Sequence, residues 1–229
     1  MTGDRPFRQS FSRRAGGLGL STRQSTRHST RAAKPQYETR TEGESMTPLD
    51  AGTLQLRLLT EADWPLFLEL HRHEQVLQYV ADPFSEQQIR QRFEERLQPW
   101  QAGDLHWLSL VVVEKQSGAA TGVCGFHSLD LDADMPLTAE VGYLFLPEFF
   151  GKGYATLALK TCLEYGATLG IKQWQAVVTE GNLGSGRVLE KCGFHLVERQ
   201  HNGYQIGDKF FTDLIYKKQL KNDGTGVLV

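Results

Sequence analysis

The chain has 229 residues, of which 40% are hydrophobic and 23% are charged, and its formal net charge is -2. This composition is ordinary for a soluble globular protein, and no apolar run reaches the roughly 20 residues of a membrane-spanning helix, which excludes a spanning segment. Residues 1–45 hold nine basic and four acidic side chains, whereas the remainder holds 16 basic and 23 acidic ones. A body with a net charge of -7 (16 minus 23) argues against a nucleic-acid surface and favours a cationic partner such as an amine.

The N-terminal segment differs from the rest of the chain in composition. It is rich in Arg, Ser, Thr and Gly, and its few apolar side chains cannot offset the entropy lost on ordering. We predict a disordered basic tail over residues 1–50, one folded domain over 51–220 and a flexible C-terminus over 221–229. A stretch upstream of a true start at Met46, an organellar targeting segment and a basic arm for RNA contact remain alternatives for the tail.

Alternation and capping patterns predict the first elements. Leu54, Leu56 and Leu58 alternate with polar residues, which is typical of a strand. Thr60 followed by Asp63 predicts a helix to about residue 73, and Ser85 followed by Gln88 predicts a second helix to about residue 100.

The remaining elements alternate between strands and helices. We predict strands over Leu105–Glu114, Thr121–Leu129 and Ala139–Leu146, a helix over Tyr154–Leu169, a strand over Lys172–Thr179, a helix over Ser185–Cys192, and two last strands over Phe194–Gln200 and Lys209–Lys217, separated by a loop at His201–Asp208. This order predicts an α/β (α+β) fold with a mixed, mostly antiparallel central sheet and helices on both faces.

A glycine-containing loop lies between a predicted strand and a predicted helix. Gly151 and Gly153 allow positive φ angles and close approach of a ligand to the backbone. The N–H groups of residues 151–156 then face one concavity at a helix N-terminus, which favours an anion, and Lys152 adds a positive charge. The loop lacks the G-K-[ST] of a P-loop and the third glycine of a dinucleotide fingerprint. A tight turn without a ligand is the alternative.

A second motif follows the next predicted strand. Residues 182–194 read N-L-G-S-G-R-V-L-E-K-C-G-F, after E-V-G-Y at 140–143 and G-K-G-Y-A-T at 151–156. In this order the motifs resemble the GNAT N-acetyltransferase superfamily, and within it the ribosomal-protein-alanine N-acetyltransferases. The resemblance covers about residues 53–217. It implies a GNAT-like sheet whose central parallel strands, Ala139–Leu146 and Lys172–Thr179, splay apart, with acetyl-CoA as co-substrate and no metal.

The resemblance also implies which residues contact acetyl-CoA. An unpaired N–H near Leu144–Leu146 would face the thioester oxygen, Asn182 would bind the pantetheine arm, and Arg187 would reach a phosphate. Asn182 could equally be a helix N-cap, and Arg187 an exposed helix residue. The full set of expected contacts is Leu144, Phe145, Leu146, Phe150, Gly151, Lys152, Gly153, Tyr154, Ala155, Thr156, Asn182 and Arg187. Phe150 replaces the polar residue that commonly begins the family's loop motif.

Two residues are candidates for proton transfer. Glu140 is the candidate general base, with orientation of a substrate ammonium or a sheet-edge cap as alternatives. Leu189 occupies the position where many relatives have a tyrosine that protonates the leaving thiolate. Ser185 is the candidate replacement for that acid, or else an ordinary first-turn serine.

The histidines, the cysteines and an acidic loop do not identify a further site. His71 and His73 do not share a helix face, so no metal site is predicted. The cysteines are predicted to be buried thiols in a reducing compartment. An acidic loop could attract a cationic acceptor or simply be solvated; it contains Asp130, Asp132 and Asp134.

The predicted function is therefore acetyl transfer from acetyl-CoA to a primary amine in a ternary complex. The expected acceptor is the N-terminal α-amino group of a protein such as a ribosomal protein. A small amine (polyamine, amino sugar or antibiotic) and a non-catalytic acyl-CoA-binding module are the alternatives. We expect a cytoplasmic monomer or homodimer without a membrane or direct nucleic-acid partner.

Overall fold

The computed structural model describes residues 46–129, 137–206 and 208–219. The predicted tail at 1–45, the acidic loop with Asp130, Asp132 and Asp134, and the chain beyond residue 219 lie outside the described residues. No helix within the described part is long and apolar enough to cross a membrane.

One eight-stranded sheet forms the centre of the fold. Its strands are β1 (Leu49–Ala51), β2 (Leu54–Leu58), β3 (Leu108–Glu114), β4 (Ala120–Ser128), β5 (Thr138–Phe145), β6 (Gln173–Thr179), β7 (His195–Ile206) and β8 (Lys209–Gln219), in the order β1-β2-β3-β4-β5-β6-β8-β7. Every neighbouring pair is antiparallel except β5 and β6, which are parallel. The predicted mixed, mostly antiparallel sheet is confirmed.

Helices cover both faces of this sheet. They are α1 (Trp64–Leu70), α2 (Glu74–Leu77), α3 (Glu86–Arg96), α4 (Tyr154–Thr168) and α5 (Leu183–Lys191). The buried side chains of α4 and α5 pack on one face, and those of α1 to α3 pack on the other in a second cluster. Because side chains alternate along a strand, residues 139, 141, 143 and 145 of β5 face α4 and α5, and residues 140, 142 and 144 face α1 to α3.

The first helical segment is broken rather than continuous. A 3-10 turn at Glu61–Asp63 leads into α1, which stops at Leu70 before the short α2. The Asp63 carboxylate accepts hydrogen bonds from the Thr60 N–H (2.9 Å) and from both terminal nitrogens of Arg57 (2.8 and 2.7 Å). This partly buried ion pair joins the start of α1 to β2 and thereby fixes the helix over the sheet.

Two predicted boundaries were wrong. The second helix ends at Arg96 rather than near residue 100, because Pro99 disfavours helical conformation in the residue before it. The predicted loop at His201–Asp208 is mostly strand, since β7 continues to Ile206 beside β8. Register shifts in β7 between Leu196 and Glu198 and between Gln200 and Tyr204 accommodate the extra residues.

The parallel strands β5 and β6 pair over only three positions. Thr138, Ala139 and Glu140 pair with Gln173, Trp174 and Gln175. Beyond these positions β5 continues beside β4 to Phe145, and β6 continues beside β8 to Thr179. The two strands therefore separate, as the resemblance implied, and we call the opening beyond Glu140 the β5–β6 cleft.

Candidate active site

The β5–β6 cleft contains a cavity of about 150 Å³. It is lined by β5 from Glu140 to Leu144, by β6 from Ala176 to Thr179, and by side chains of α3 and α5. Cavities that enclose drug-sized ligands are typically 300–1,000 Å³, so this one has room for the reacting ends of two substrates rather than for their whole length.

The strand β5, which lines the cleft, continues through residues 146–153 to the N-terminus of α4. Gly151 and Gly153 have φ angles of 74° and 79°, so the positive φ predicted for both glycines is present. Within the described residues, the backbone N–H groups of residues 151–155 donate no hydrogen bond, whereas those of Thr156 and Leu157 both bond the Gly153 carbonyl. We call residues 151–155 the amide loop.

The space in front of the amide loop is open. A Cβ atom added to Gly151 or Gly153 would meet no other atom within 4 Å. A row of unpaired donors at the positive end of a 15-residue helix suits a negatively charged group. The loop therefore offers its donors to an anion such as a phosphate.

Side chains around the amide loop hold it in place. The Tyr154 hydroxyl donates a hydrogen bond to the Glu114 carboxylate of β3, which fixes the first residue of α4 to the sheet. Hydrogen bonds from Ser117 and Tyr154 hold the pKa of Glu114 below its usual range, so the carboxylate stays ionised. The Lys152 ammonium lies 4.8 Å from the Phe149 ring centre, beside the loop. Phe150 is 52% exposed.

The backbone of β5 offers hydrogen-bonding groups to the cleft. The Leu146 N–H donates to the Thr121 carbonyl, so it is not the unpaired donor that the sequence predicted. In an antiparallel ladder alternate residues bond the same neighbour, so the peptide groups of Leu144 also face β4. The groups of Tyr143 and Phe145 face the cleft instead. The prediction of a donor near Leu144–Leu146 therefore narrows to Phe145.

Glu140 lies where the two strands separate, as the last β5 residue paired with β6. Glu140 is 7% exposed, and its carboxylate accepts a hydrogen bond from Gln175 Nε2 at 3.3 Å. It faces the α1–α3 side of the sheet and lines the cavity. A carboxylate at this point can contact an amine that enters the cleft from that side.

The start of α5 lies on the opposite side of the cleft. The Asn182 side-chain oxygen accepts a hydrogen bond from the Ser185 N–H at 3.1 Å, so Asn182 is the N-cap of α5. Asn182 and Ser185 both line the cavity. Arg187 is exposed and makes no hydrogen bond or ion pair with any described residue, so its guanidinium is available to a ligand.

The structure adds one residue that the sequence analysis did not select. The Tyr143 hydroxyl lies 2.8 Å from the Ser185 hydroxyl and 3.2 Å from its carbonyl oxygen. Burial raises the pKa of Tyr143 well above its usual range, so the phenol is protonated at neutral pH. Leu189 is fully buried and lines the same cavity. A tyrosine from β5 thus places its hydroxyl beside Ser185, whereas the α5 position holds leucine.

Most of the predicted site residues fall into two groups, to which Phe145, Leu146 and Arg187 do not belong. Glu140, Leu144, Asn182 and Ser185 line the cavity, while residues 150–156 surround the helix N-terminus next to it. Tyr143 belongs to the E-V-G-Y motif, and its alternation with Glu140 indicated the opposite face of the strand. Only the fold shows that this face meets Ser185.

Comparisons with known proteins agree with this geometry. The family model described as acetyltransferase (GNAT) domain matches residues 53–195. The uncharacterized N-acetyltransferase YoaA of Bacillus subtilis is 36% identical over 96 residues, which are 41% of this chain and 52% of YoaA. The chain spans about half the length of the curated relatives it matches.

Solved structures share the fold at low sequence identity. A ribosomal α-N-protein acetyltransferase, RimL, in complex with coenzyme A superposes with a TM-score of 0.67 at 18% identity, covering 77% of this chain and 100% of RimL. A spermidine N-acetyltransferase from Vibrio cholerae in complex with CoA and spermine gives a TM-score of 0.63 at 18% identity, covering 73% of this chain and 95% of that one. Since the family model spans more than half of the sequence, the chain belongs to the GNAT acetyltransferase family.

Proposed function

We propose that this chain transfers the acetyl group of acetyl-CoA to a primary amine, and that the amine is the N-terminal α-amino group of a protein, with a ribosomal protein as the expected class. The observation that carries the proposal is the β5–β6 cleft, which contains a buried carboxylate, Glu140, on the strand that runs on to a row of unpaired amide donors at residues 151–155.

The chain's own groups account for binding of the co-substrate. The amide loop receives the phosphates, and the side chains of Lys152 and Arg187 add positive charge near them. The peptide groups of Tyr143 and Phe145 that face the cleft bond the pantetheine arm. Bound acetyl-CoA supplies a thioester whose carbonyl carbon is electrophilic, and the Phe145 N–H is the donor placed to stabilise the oxyanion formed there.

Two proton transfers complete the reaction. Glu140, directly or through a water, accepts a proton from the amine as its nitrogen bonds to the carbonyl carbon. As the carbon–sulfur bond breaks, the Ser185 hydroxyl, which is hydrogen-bonded to the Tyr143 phenol, donates a proton to the thiolate. The proton that Glu140 took from the amine is released to solvent, and solvent restores the proton of the Ser185–Tyr143 pair. The products are an amide and free CoA thiol, so no other reactant is needed.

We propose direct transfer in a ternary complex, without an acetyl-cysteine intermediate, because of the state of the cysteines. Cys124, Cys162 and Cys192 are all buried free thiols. Burial raises the pKa of Cys192, which makes it a weak nucleophile, and Cys124, which lines the cavity, is only 1% exposed. Free thiols also fit a reducing compartment, so we propose the cytoplasm as the place of the reaction.

Two observations support a protein N-terminus as the acceptor: the pKa of an α-amino group and the fold shared with RimL. An α-amino group has a pKa near 8, whereas an alkylamine has one near 10, so the α-amino group is far more often neutral at pH 7. Glu140 is a single carboxylate that already accepts one hydrogen bond, so it is better suited to deprotonate an α-amino group than the more basic alkylamine. The fold shared with RimL supports a protein N-terminus, while the spermidine enzyme keeps a small amine as the second candidate.

Release of CoA thiol from acetyl-CoA tests the proposal on a panel of acceptors. The panel contains peptides with free and blocked N-termini, spermidine, an amino sugar and lysine side-chain analogues. We expect release with free peptide N-termini and a shift of 42 Da in the peptide mass. Release only with spermidine or an amino sugar would replace the acceptor assignment, and tight binding of acetyl-CoA without transfer would indicate a non-catalytic module.

Glu140→Gln is predicted to lower kcat by about 10²- to 10⁴-fold, because the amide cannot accept the amine proton. The rate that remains should rise less steeply between pH 6 and pH 9, while the Kd for acetyl-CoA stays within about twofold. Glu164→Gln, an exposed change on α4, is the matched control. An unchanged kcat in Glu140→Gln would remove Glu140 as the base.

Tyr143→Phe is predicted to lower kcat by about 10- to 100-fold with little change in the Kd for acetyl-CoA, because only the hydroxyl that bonds Ser185 is lost. Ser185→Ala should have a similar effect. The double variant should be no slower than the slower single variant if the two hydroxyls act as one unit. Steady-state measurement of kcat for the three variants tests whether the hydroxyls act together. If the reductions in kcat were fully additive, a shared proton route would be contradicted.

A further inference from the structure

The acceptor side of the β5–β6 cleft contains a cation that the proposed chemistry does not use. Arg96 is the last residue of α3, and its side chain lines the cavity together with Glu140. Glu140 must contact the amine, so the acceptor lies on the α1–α3 side of the sheet, where Arg96 also lies. We propose that Arg96 forms an anion subsite for the acceptor, which therefore carries a carboxylate close to its amino group; this inference rests on the proposed function.

The contacts of Arg96 leave most of its donors available. Its Nη1 atom donates to the Ser109 hydroxyl at 3.2 Å, and this is the only hydrogen bond that Arg96 makes within the described part of the chain. A guanidinium carries five N–H donors. In contrast, Arg57, Arg72, Arg90 and Arg199 each form an ion pair with a carboxylate. Arg96 forms none among the described residues, Glu140 included.

Aromatic rings hold the guanidinium in a fixed place. Its central carbon lies 5.1 Å from the Trp107 ring centre and 5.8 Å from that of Phe67. Trp107 packs directly on β5, since a Cβ atom on Gly142 would come within 2.9 Å of its ring. The Trp107 ring therefore connects Arg96 to the strand that carries Glu140, and an arginine stacked in this way presents its edge to a ligand.

Burial lowers the pKa of Arg96 to about 10, with a smaller effect from Arg92, so the side chain remains charged at neutral pH. The neighbouring His71 is neutral, because burial and, to a smaller extent, the charge of Arg96 lower its pKa to about 3. Among the described residues that line the cavity, Arg96 has the one guanidinium and Glu140 the one carboxyl.

The cavity contains one positive and one negative group, so it is complementary to an acceptor that carries both an amine and a carboxylate. The amine would lie at Glu140, and a carboxylate would form charge-assisted hydrogen bonds with Arg96. A polyamine has only positive charges, so one of them would lie near Arg96 and be repelled by it. The carboxylate could be an Asp or Glu side chain near a peptide N-terminus, or the α-carboxylate of a free amino acid, and the assay separates these two sources.

The test compares matched acceptors on the full chain. One arm uses peptides that differ only in Asp against Asn, or Glu against Gln, at the second and third positions. The other arm uses free amino acids against their amides. We expect wild-type kcat/KM to be about 10- to 100-fold higher for the carboxylate member in at least one arm, mainly through KM, which is the loss typical of a charged hydrogen bond. The arm that shows the preference identifies the source.

Arg96→Met keeps most of the apolar stem and removes the charge. We expect it to abolish the preference for the carboxylate acceptor without changing the Kd for acetyl-CoA, and Arg96→Lys to retain part of it. Arg92→Met, one turn earlier on α3 and outside the cavity lining, is the control and should keep the full preference. Thermal melting of each variant checks the fold.

Each outcome has one meaning. Equal wild-type rates on carboxylate and amide acceptors in both arms would overturn the subsite, even if Arg96→Met failed to fold. A preference that survives in Arg96→Met would also overturn it. If no amine is acetylated although acetyl-CoA binds, the proposed function fails; if amines are acetylated without the preference, only this inference fails.

Discussion

The separation of β5 from β6 after Glu140 is the constraint on which the site depends. A buried sheet normally pairs every backbone N–H and C=O group, and each unpaired group costs free energy comparable to a lost hydrogen bond. Here pairing stops after three positions, although both strands continue and remain paired on their outer sides. The peptide groups of Tyr143 and Phe145 are thereby left for a ligand that can supply the missing partners.

The same separation divides the site into two sides with different chemistry. On the α4–α5 side lie the amide loop, the capped start of α5 and the Tyr143–Ser185 hydroxyl pair, all of them donors suited to phosphates and to a leaving thiolate. On the α1–α3 side lie Glu140 and Arg96, one negative and one positive. The two substrates can therefore approach from opposite faces and meet at the position where the strands part, which is the geometry that direct transfer requires.

Sequence reasoning succeeded where the signal was local. The alternation in β2, the positive φ angles of Gly151 and Gly153 and the capping role of Asn182 each depend on a few adjacent residues. No local pattern marks Tyr143 as a partner of Ser185, because 42 positions separate them and only the packing of α5 brings them together.

Two other features also depend on tertiary structure. Arg96 had the appearance of an ordinary charged residue at a helix end, and its role depends on Trp107 and Ser109 from the following segment. The polar, glycine-containing end of β7 resembled a loop and became strand only because β8 supplies its hydrogen-bond partners.

Amide hydrogen exchange with and without acetyl-CoA tests the central claim most directly, because it reports individual N–H groups in the full chain. We predict that saturating acetyl-CoA slows exchange at residues 151–155 and at Tyr143 and Phe145, while Leu144 and Leu146, which bond β4, change little. Desulfo-CoA should protect the amide loop equally well. Protection that is absent from residues 151–155, or confined to segments away from the β5–β6 cleft, would contradict the account.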